Sequence, residues 1–232
     1  MEKNIYAISY KLRKELYHRI LSITGIILLF FVIVSLFMTF IIFPVVNRSD
    51  SMAPDIPSGS CEFVTPLLKT PGRGDVILML NYRNSQESLL KRIVKNAALF
   101  VSLRKWHPFE ETPSSGTRPV IRRVVGLPGD TIYIDRYVVF VKPENQSHFL
   151  TEFEVTESKY NAKILVPPAG WDTDFGAKSS IEPVTLGPDE YFVLGDDRLS
   201  SSDSRIWGPV NKSEIIGKVL MLYFPFSKFK LF

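Results

Sequence analysis

The chain is 232 residues long, with a formal net charge of +4 and an isoelectric point near 9.1. This length suits one sizeable domain and a short further segment rather than several domains. The single cysteine, Cys61, excludes an intrachain disulfide and is expected to be a small buried residue. Zinc-ligand spacing, a phosphate-binding glycine loop and an RNA-binding aromatic pattern are all missing from the sequence, so nothing indicates a metal site or nucleic-acid binding.

The first feature along the chain is a long apolar run. No charged residue lies between Leu21 and Val46, and a hydrocarbon core about 30 Å thick needs roughly 20 apolar residues in a helix. A cleaved secretory signal has a shorter apolar stretch of about 7 to 15 residues. We therefore predict an uncleaved transmembrane anchor over residues 20–46, preceded by a cytoplasmic N-terminus over residues 1–19.

Basic residues precede the apolar run, and they indicate its orientation. They are Lys3, Lys11, Arg13, Lys14 and Arg19. Because positively charged flanks stay on the cytoplasmic side, we predict a single-pass protein of the cytoplasmic (inner) membrane with residues 47–232 outside. The mild positive charge also suits contact with anionic membrane lipid.

After the anchor, short β-branched and aromatic runs alternate with Gly, Pro, Asp and Ser clusters, which is typical of many short strands. The predicted strands are Cys61–Pro66, Asp75–Asn81, Val120–Val125, Thr131–Ile134, Tyr137–Val141, Glu190–Leu194 and Ile216–Phe224. The pattern predicts a mainly β domain, folded as a sandwich or partly open barrel. Residues 83–115 and 144–183 are polar and mixed, so we predict variable insertions there, the first with a short helix around Lys95–Lys105.

Four separated blocks carry reactive and turn-forming residues. They are Asn47–Pro54, Gly74–Leu78, Arg122–Asp130 and Leu194–Gly208. Each block alone has a structural explanation as a turn or a solvated loop. Their order and spacing behind an N-terminal apolar run closely resemble the bacterial type I signal peptidases. The resemblance extends from Ser49 to Val219 and is poor in the two polar stretches. It implies a signal-peptidase-like β domain with an N-terminal transmembrane helix.

The resemblance also implies roles for individual residues. Ser51 falls at the position of the nucleophilic serine, and Ser49 at that of a hydroxyl that forms the oxyanion hole together with the Ser51 amide. Ser201 matches a hydroxyl that orients the base, and Arg122 occupies the general-base position. The residues implied to support or shape the site are the oppositely charged pair Asp203 and Arg205, with Asp196, Arg123, Gly195, Gly74 and Asp75.

Arg122 departs from the family pattern, which has lysine here in bacterial members and histidine in endoplasmic-reticulum relatives. A serine hydroxyl needs a base within hydrogen-bond reach. An unperturbed arginine, with a pKa of about 12.5 to 13.8, is neutral in fewer than about one molecule in 10⁵ at pH 7. Three explanations are open: a nearby lysine such as Lys91 is the base, the enzyme works slowly with another group or water as the base, or catalysis is lost and peptide binding is kept.

The resemblance implies a membrane-bound serine endopeptidase that removes signal peptides from exported precursors at the outer face of the cytoplasmic membrane. The implied partners are these signal peptides, membrane lipid and a translocon component, but no nucleic acid. Because the chemistry needs only a hydroxyl, a base and an oxyanion hole, we expect no cofactor or metal. One alternative is a catalytically impaired family member that acts as a membrane-anchored signal-peptide-binding module. Another, a soluble self-cleaving repressor, needs a DNA-binding helical region where this sequence has its apolar run.

Overall fold

The computed structural model describes residues 2–80, 119–164 and 178–232. The chain forms two compact units, one with Met1–Ile41 and Glu87–Glu110 and the other with Ile42–Gln86 and Glu111–Phe232. The helix predicted around Lys95–Lys105 lies outside the described residues. Each unit is considered by itself.

A single long helix, α1, makes up the described part of the first unit. It runs from Glu2 to Phe40. Within it, Arg13–Phe40 is 28 residues long and reaches a mean hydropathy of 2.9 over a window that is not buried in the protein. Apolar side chains such as Leu21 and Leu28 are exposed on its surface. At 1.5 Å per residue the apolar segment is about 40 Å long, so its length and composition allow it to cross a membrane.

The helix ends before the apolar run does. α1 stops at Phe40, and Phe43–Val46 forms strand β1. This strand pairs antiparallel with β2, Cys61–Thr65. Pro44 has no amide hydrogen for a helical bond, but it is tolerated in a strand at the edge of a sheet. The predicted segment 20–46 therefore contains the end of a helix and the first strand of the β domain.

An eight-stranded sheet is the main element of the second unit. Its remaining strands are β3 (Val76–Leu80), β4 (Pro119–Gly126), β9 (Glu190–Leu194), β10 (Val210–Asn211), β11 (Ile215–Phe224) and β12 (Lys230–Leu231). The strand order is β1-β2-β11-β3-β4-β9-β10, and β12 pairs with β11. All of these pairings are antiparallel.

A smaller sheet of four strands has the order β7-β6-β5-β8. Its strands are β5 (Thr131–Asp135), β6 (Val138–Lys142), β7 (Leu150–Thr151) and β8 (Ile181–Thr185). Arg136 and Tyr137 join β5 to β6 with φ values of 46° and 66°. Positive φ at both central residues is the geometry of a tight hairpin turn. The second unit also contains two short α-helices, α2 (Glu152–Val155) and α3 (Ser204–Trp207).

The mainly β fold class is confirmed, and every predicted strand is present with its ends within one residue of the prediction. The short strands β1, β7, β8, β10 and β12 were not predicted. β7, α2 and the start of β8 lie inside the predicted insertion 144–183, so part of this stretch belongs to the small sheet.

Three apolar clusters form the core of the second unit. One cluster packs Met52 and Ile56 against the strand residues Val64, Val76 and Val219, all fully buried. Burial of each such side chain typically contributes about 1.5–3 kcal/mol. The segment that follows Ser51 is thus anchored in the core by Met52 and by Ile56. The second cluster joins the small sheet to one face of β9, and the third joins the opposite face of β9 to β3 and β11.

Candidate active site

Ser51 lies in a short 3₁₀ turn, Asp50–Met52, that follows β1. Ser49 precedes the turn in an extended conformation, and its Oγ accepts a hydrogen bond from the Ser51 amide at 3.2 Å. The same Ser49 hydroxyl donates to Ser51 Oγ at 3.0 Å. The residue Ser51 is 5% exposed. A serine cap on a short turn therefore brings two hydroxyl groups together at a nearly enclosed position.

Asn47 braces the loop that carries Ser51. Its Nδ2 donates to the carbonyl oxygen of Ser49 at 2.8 Å. It also donates to the carbonyl oxygens of Ile56 and Pro57, at 3.2 and 3.1 Å. A buried amide that satisfies several main-chain oxygens fixes the path of the loop. The two ends of the loop are thereby held together around the serine turn.

Arg122 reaches Ser51 from the middle of β4. Its Nη1 donates to Ser51 Oγ at 2.8 Å and to the carbonyl oxygen of Ile121 at 2.5 Å. Its Nε and Nη2 both donate to the carbonyl oxygen of Ser202, at 3.0 and 2.7 Å. The guanidinium group is thus held between two loops with one nitrogen directed at the serine hydroxyl.

Burial disfavours the charge of Arg122, yet the guanidinium group is placed to donate hydrogen bonds to the oxygen atoms around it. Burial lowers the pKa of Arg122, and of the nearby charges Asp203 opposes this lowering while Arg205 adds to it. A charged guanidinium has five donors and no acceptor. Ser51 Oγ therefore accepts hydrogen bonds from Arg122 and Ser49 together. This arrangement can stabilise negative charge on the serine oxygen, but the charged arginine cannot take its proton.

Ser201 belongs to a buried cluster with Asp203 and Arg205. Ser201 Oγ donates to Asp203 Oδ2 at 2.5 Å and accepts from Arg205 Nη2 at 2.9 Å. Arg205 also donates twice to the Asp203 carboxylate, each time at 2.8 Å. Burial opposes the charge of Asp203, but its bonds to Arg205 and Ser201 outweigh this effect and hold its pKa below the usual range. The predicted oppositely charged pair is present as a direct ion pair.

The position of Ser201 differs from what orienting the base would require. In the part of the chain that the structure describes, the Ser201 hydroxyl bonds to the ion pair, whereas the Arg122 guanidinium is held by the carbonyl oxygen of Ser202. The main-chain carbonyl of Ser202 thus makes the contact with Arg122 that the family resemblance implied for the Ser201 side chain.

Gly195 brings the loop after β9 into close contact with the serine turn. A Cβ atom at this position would lie 2.6 Å from the Ser51 carbonyl oxygen and 2.3 Å from Ser201 Cβ. The amide of Asp197 donates to the same Ser51 oxygen at 3.0 Å. Any side chain at Gly195 would therefore push the loop away from Ser51.

Arg123 follows Arg122 on β4 and faces the other way, as successive strand residues do. It donates to both oxygens of Asp196, at 2.7 and 2.6 Å, and to the carbonyl oxygen of Gly74 at 2.9 Å. Burial works against its charge, but the bond to Asp196 raises the pKa of Arg123 above its ordinary value. Gly74 has a φ of +88°, which suits glycine. The two predicted support residues are thus paired with each other.

The other predicted residues are placed as follows. Asp75 forms an ion pair with Lys218 at 2.8 Å. Lys91, the candidate replacement base, lies outside the described residues. Within residues 2–80, 119–164 and 178–232, no group of three or more His, Cys, Asp or Glu side chains is arranged to hold a metal ion.

Sequence reasoning did not identify several groups around the site. The Ser202 carbonyl oxygen is a main-chain acceptor, and the type of residue at a position does not reveal such a role. Asn47 lies in a block that was singled out, but no role was assigned to it. Glu152 and Arg198 form a buried ion pair of 2.6 Å between distant parts of the chain, and only their unusual burial, which the sequence does not reveal, marks them.

A serine hydroxyl between a second hydroxyl and a cation, on a mainly β scaffold, is an arrangement suited to a serine hydrolase. The family model described as "Signal peptidase, peptidase S26" matches residues 20–97 and 108–224. The chain therefore belongs to the signal peptidase, peptidase S26 family.

Two individual signal peptidases from Bacillus agree with this assignment. The chain is 28% identical over 208 residues to signal peptidase I P of Bacillus subtilis subsp. natto, a match that covers 88% of this chain and 89% of that protein. It is 35% identical over 109 residues to signal peptidase I of Bacillus caldolyticus, covering 47% of this chain and 56% of the relative. A crystal structure of a signal peptidase I from Enterococcus faecalis V583 aligns with a TM-score of 0.32 and 19% identity, over 64% of this chain and 95% of that one.

Proposed function

We propose that this chain is a membrane-bound serine endopeptidase that removes signal peptides from exported precursors at the outer face of the cytoplasmic membrane. Membership of the signal peptidase, peptidase S26 family supports this function. The observation that carries it is the position of Ser51 Oγ, within hydrogen-bond distance of both Ser49 Oγ and Arg122 Nη1. The substrates are the signal peptides of secretory precursors, which present an extended segment to the site.

Ser51 is the nucleophile that attacks the scissile carbonyl carbon. The Ser51 amide and the Ser49 hydroxyl are the donors for the oxyanion that this attack creates. The Ser51 amide donates to Ser49 Oγ, and the Ser49 hydroxyl donates to Ser51 Oγ, so the Ser49 hydroxyl gives up both bonds when the two donors turn to the oxyanion. One donor of this type is typically worth about 10²–10³ in kcat.

Arg122 stabilises the Ser51 alkoxide and does not act as the base. The Ser51 proton passes to a solvent hydroxide, which gives water, and the alkoxide is held by Arg122 Nη1 at 2.8 Å. The leaving amine takes a proton from water, which restores the hydroxide. This assignment develops the second of the three explanations for Arg122, in which the enzyme works slowly with a solvent base.

α1 and the charges that flank its apolar segment support a membrane arrangement. The helix is the single-pass anchor, its N-terminus is cytoplasmic, and the β domain lies outside, where lipid headgroups and a translocon component are its further partners. In a Cys61→Ala background, a cysteine introduced at the exposed Ser147 should react with a membrane-impermeant maleimide in intact cells. Labelling that requires permeabilised cells would contradict this orientation.

The function is tested by precursor cleavage with the full chain in detergent micelles. We expect wild type to cut a precursor at one site and Ser51→Ala to be inactive. Ser58→Ala is the matched control, because Ser58 is an exposed serine of the same loop. A wild-type protein that binds the precursor but does not cleave it would instead identify a signal-peptide-binding module.

A further inference from the structure

A buried ion pair joins the small sheet to the loop that lies against Ser51. Arg198 Nη1 and Nη2 donate to the two oxygens of Glu152, at 2.7 and 2.6 Å. The Tyr160 hydroxyl donates to Glu152 Oε2 at 2.9 Å. The side chains of Glu152 and Arg198 are each 1% exposed. Glu152 and Tyr160 both come from the polar stretch 144–183, and Arg198 comes from the block that contains Ser201.

Arg198 is also tied to the loop through its own main chain and Nε. Its Nε donates to the carbonyl oxygen of Gly195 at 3.0 Å, and its carbonyl oxygen accepts from Arg205 Nη1 at 2.6 Å. Its amide donates to the carbonyl oxygen of Lys163 at 3.1 Å. The orientation of the Arg198 side chain therefore determines where Gly195 and the two residues after it lie.

The same short loop contacts the nucleophile turn directly. The amide of Asp197 donates to the Ser51 carbonyl oxygen at 3.0 Å. Gly195 lies so close that an added Cβ would be 2.6 Å from that oxygen. Through Arg205, the loop also touches the ion pair with Asp203. Glu152 is thus linked to Ser51 by hydrogen bonds to Arg198, from Arg198 to Gly195 and from Asp197 to Ser51, with the Gly195–Asp197 main chain between them.

We propose that Glu152 and Tyr160 are positioning residues for Ser51. They act by fixing the side chain of Arg198 and hence the Gly195–Asp197 segment, and this proposal rests on the proposed function above. A buried ion pair is often no more stabilising than apolar side chains of the same volume, but it defines a specific geometry. Here the geometry that it defines is the distance between the Asp197 amide and the nucleophile turn.

A second contact supports the role of Tyr160. The guanidinium carbon of Arg123 lies 4.1 Å from the centre of the Tyr160 ring, which is within the range of a cation–π interaction. Tyr160 therefore touches both Glu152 and the arginine that is paired with Asp196, the residue between Gly195 and Asp197. Burial and the neighbouring Glu152 charge both raise the pKa of Tyr160, so its hydroxyl keeps the proton that it donates.

The test uses Glu152→Gln and Tyr160→Phe in the full chain, with Glu154→Gln as the matched control. Glu154 lies on the same short helix, is exposed, and accepts hydrogen bonds from Thr151 that glutamine can also accept. The readouts are kcat and KM for precursor cleavage, and the hydrogen-exchange rate of the Asp197 amide. Circular dichroism establishes the temperature at which each variant is folded.

We expect Glu152→Gln to lower kcat about tenfold, with KM within twofold of wild type, and to speed exchange of the Asp197 amide about tenfold. Tyr160→Phe, which removes a single hydroxyl group, should change both quantities about threefold in the same directions. Because Tyr160→Phe is a small change, this variant still tests the proposal if Glu152→Gln does not fold. The control Glu154→Gln should match wild type.

Unchanged exchange at Asp197 in the folded variants overturns the proposal, whether or not kcat falls. Equal changes in Glu154→Gln overturn it as well, because the effect would then belong to the helix and not to the ion pair. If the wild type does not cleave at all, the proposed function fails, and the exchange rates alone decide the positioning role.

Discussion

Arg122 and Arg123 are neighbours on β4 with opposite surroundings. Arg123 donates to both oxygens of the buried carboxylate of Asp196. The bonds of Arg122 go to neutral oxygens, those of Ser51, Ile121 and the Ser202 carbonyl, among the residues that the structure describes. The pKa of Arg123 is raised by its partner, whereas that of Arg122 is lowered by burial.

This difference separates a structural arginine from one that is available for chemistry. The charge of Arg123 is matched by a carboxylate at 2.6 Å, so it closes a contact between β4 and the loop after β9. Among the described residues, no carboxylate forms an ion pair with Arg122, and its Nη1 is directed at the Ser51 hydroxyl. Two adjacent residues of the same type therefore have different partners, because successive strand residues point to opposite faces of the sheet.

The largest expected effect comes from Arg122→Lys. A lysine in this buried position has a lowered pKa and can accept the Ser51 proton, and general-base catalysis typically contributes about 10²–10⁴-fold. We expect kcat for precursor cleavage at pH 7 to rise at least about 10²-fold. Arg123→Lys is the control and should not raise it. A kcat for Arg122→Lys that is no higher than the wild-type value would contradict this prediction, because the buried lysine would then not act as a base.

The second prediction concerns stability. Here the substitution of Arg123 should have a larger effect than the substitution of Arg122, the reverse of the effect on kcat. Arg123→Met leaves the buried carboxylate of Asp196 without its partner, and breaking a buried pair typically costs about 3–5 kcal/mol. Among the described residues, Arg122→Met leaves neutral acceptors unpaired, at a cost of about 1–3 kcal/mol. Urea unfolding of the detergent-solubilised variants measures both. A larger loss of the free energy of unfolding in Arg122→Met would contradict the comparison.

The third prediction is a difference in pH dependence. In the wild type the fraction of Ser51 alkoxide increases with pH, so kcat/KM should rise by up to about tenfold per pH unit between about pH 6 and 9. In Arg122→Lys the rise should level off once the buried lysine is neutral. A wild-type profile that is flat over this range would indicate a titrating base with a pKa below it, and would argue against a solvent base.

The smallest expected effect is the acid sensitivity of the Asp203 ion pair. Although burial opposes its charge, bonds to Arg205 and Ser201 give Asp203 a folded-state pKa below the unfolded value of about 3.9. Its contribution to stability is therefore complete above about pH 4 and is lost as the pH falls through the folded-state pKa. Thermal unfolding between pH 3 and 7 should show this loss, and Asp203→Asn should show a shallower one. An equally steep loss in Asp203→Asn would assign the effect to other groups.

Much of the fold was predictable because local patterns carry it. Strands such as Glu190–Leu194 are marked by β-branched and aromatic residues between turn residues, and they were located to within one residue. Strands of two residues, such as Val210–Asn211, contain too little pattern to be found. The end of α1 was misplaced because apolar residues continue past Phe40 into a strand, and composition alone does not separate the two elements.

The site was predictable where residue types and their order define it. The structure brings Ser49, Ser51 and Arg122 within direct hydrogen-bond distance. The Ser202 carbonyl oxygen and the pairing of Glu152 with Arg198 could not be predicted, since the first is a main-chain group and the second depends on two chain segments that meet only in the folded domain.

The most direct test of the central claim is to find which residue carries the acyl group during cleavage. The full chain in micelles is mixed with a precursor, quenched in acid, digested and examined by mass spectrometry. We expect a peptide that contains Ser51 to carry the signal-peptide fragment, added with the loss of the cleaved amine. An adduct on another residue, or cleavage that persists in Ser51→Ala, would contradict the account.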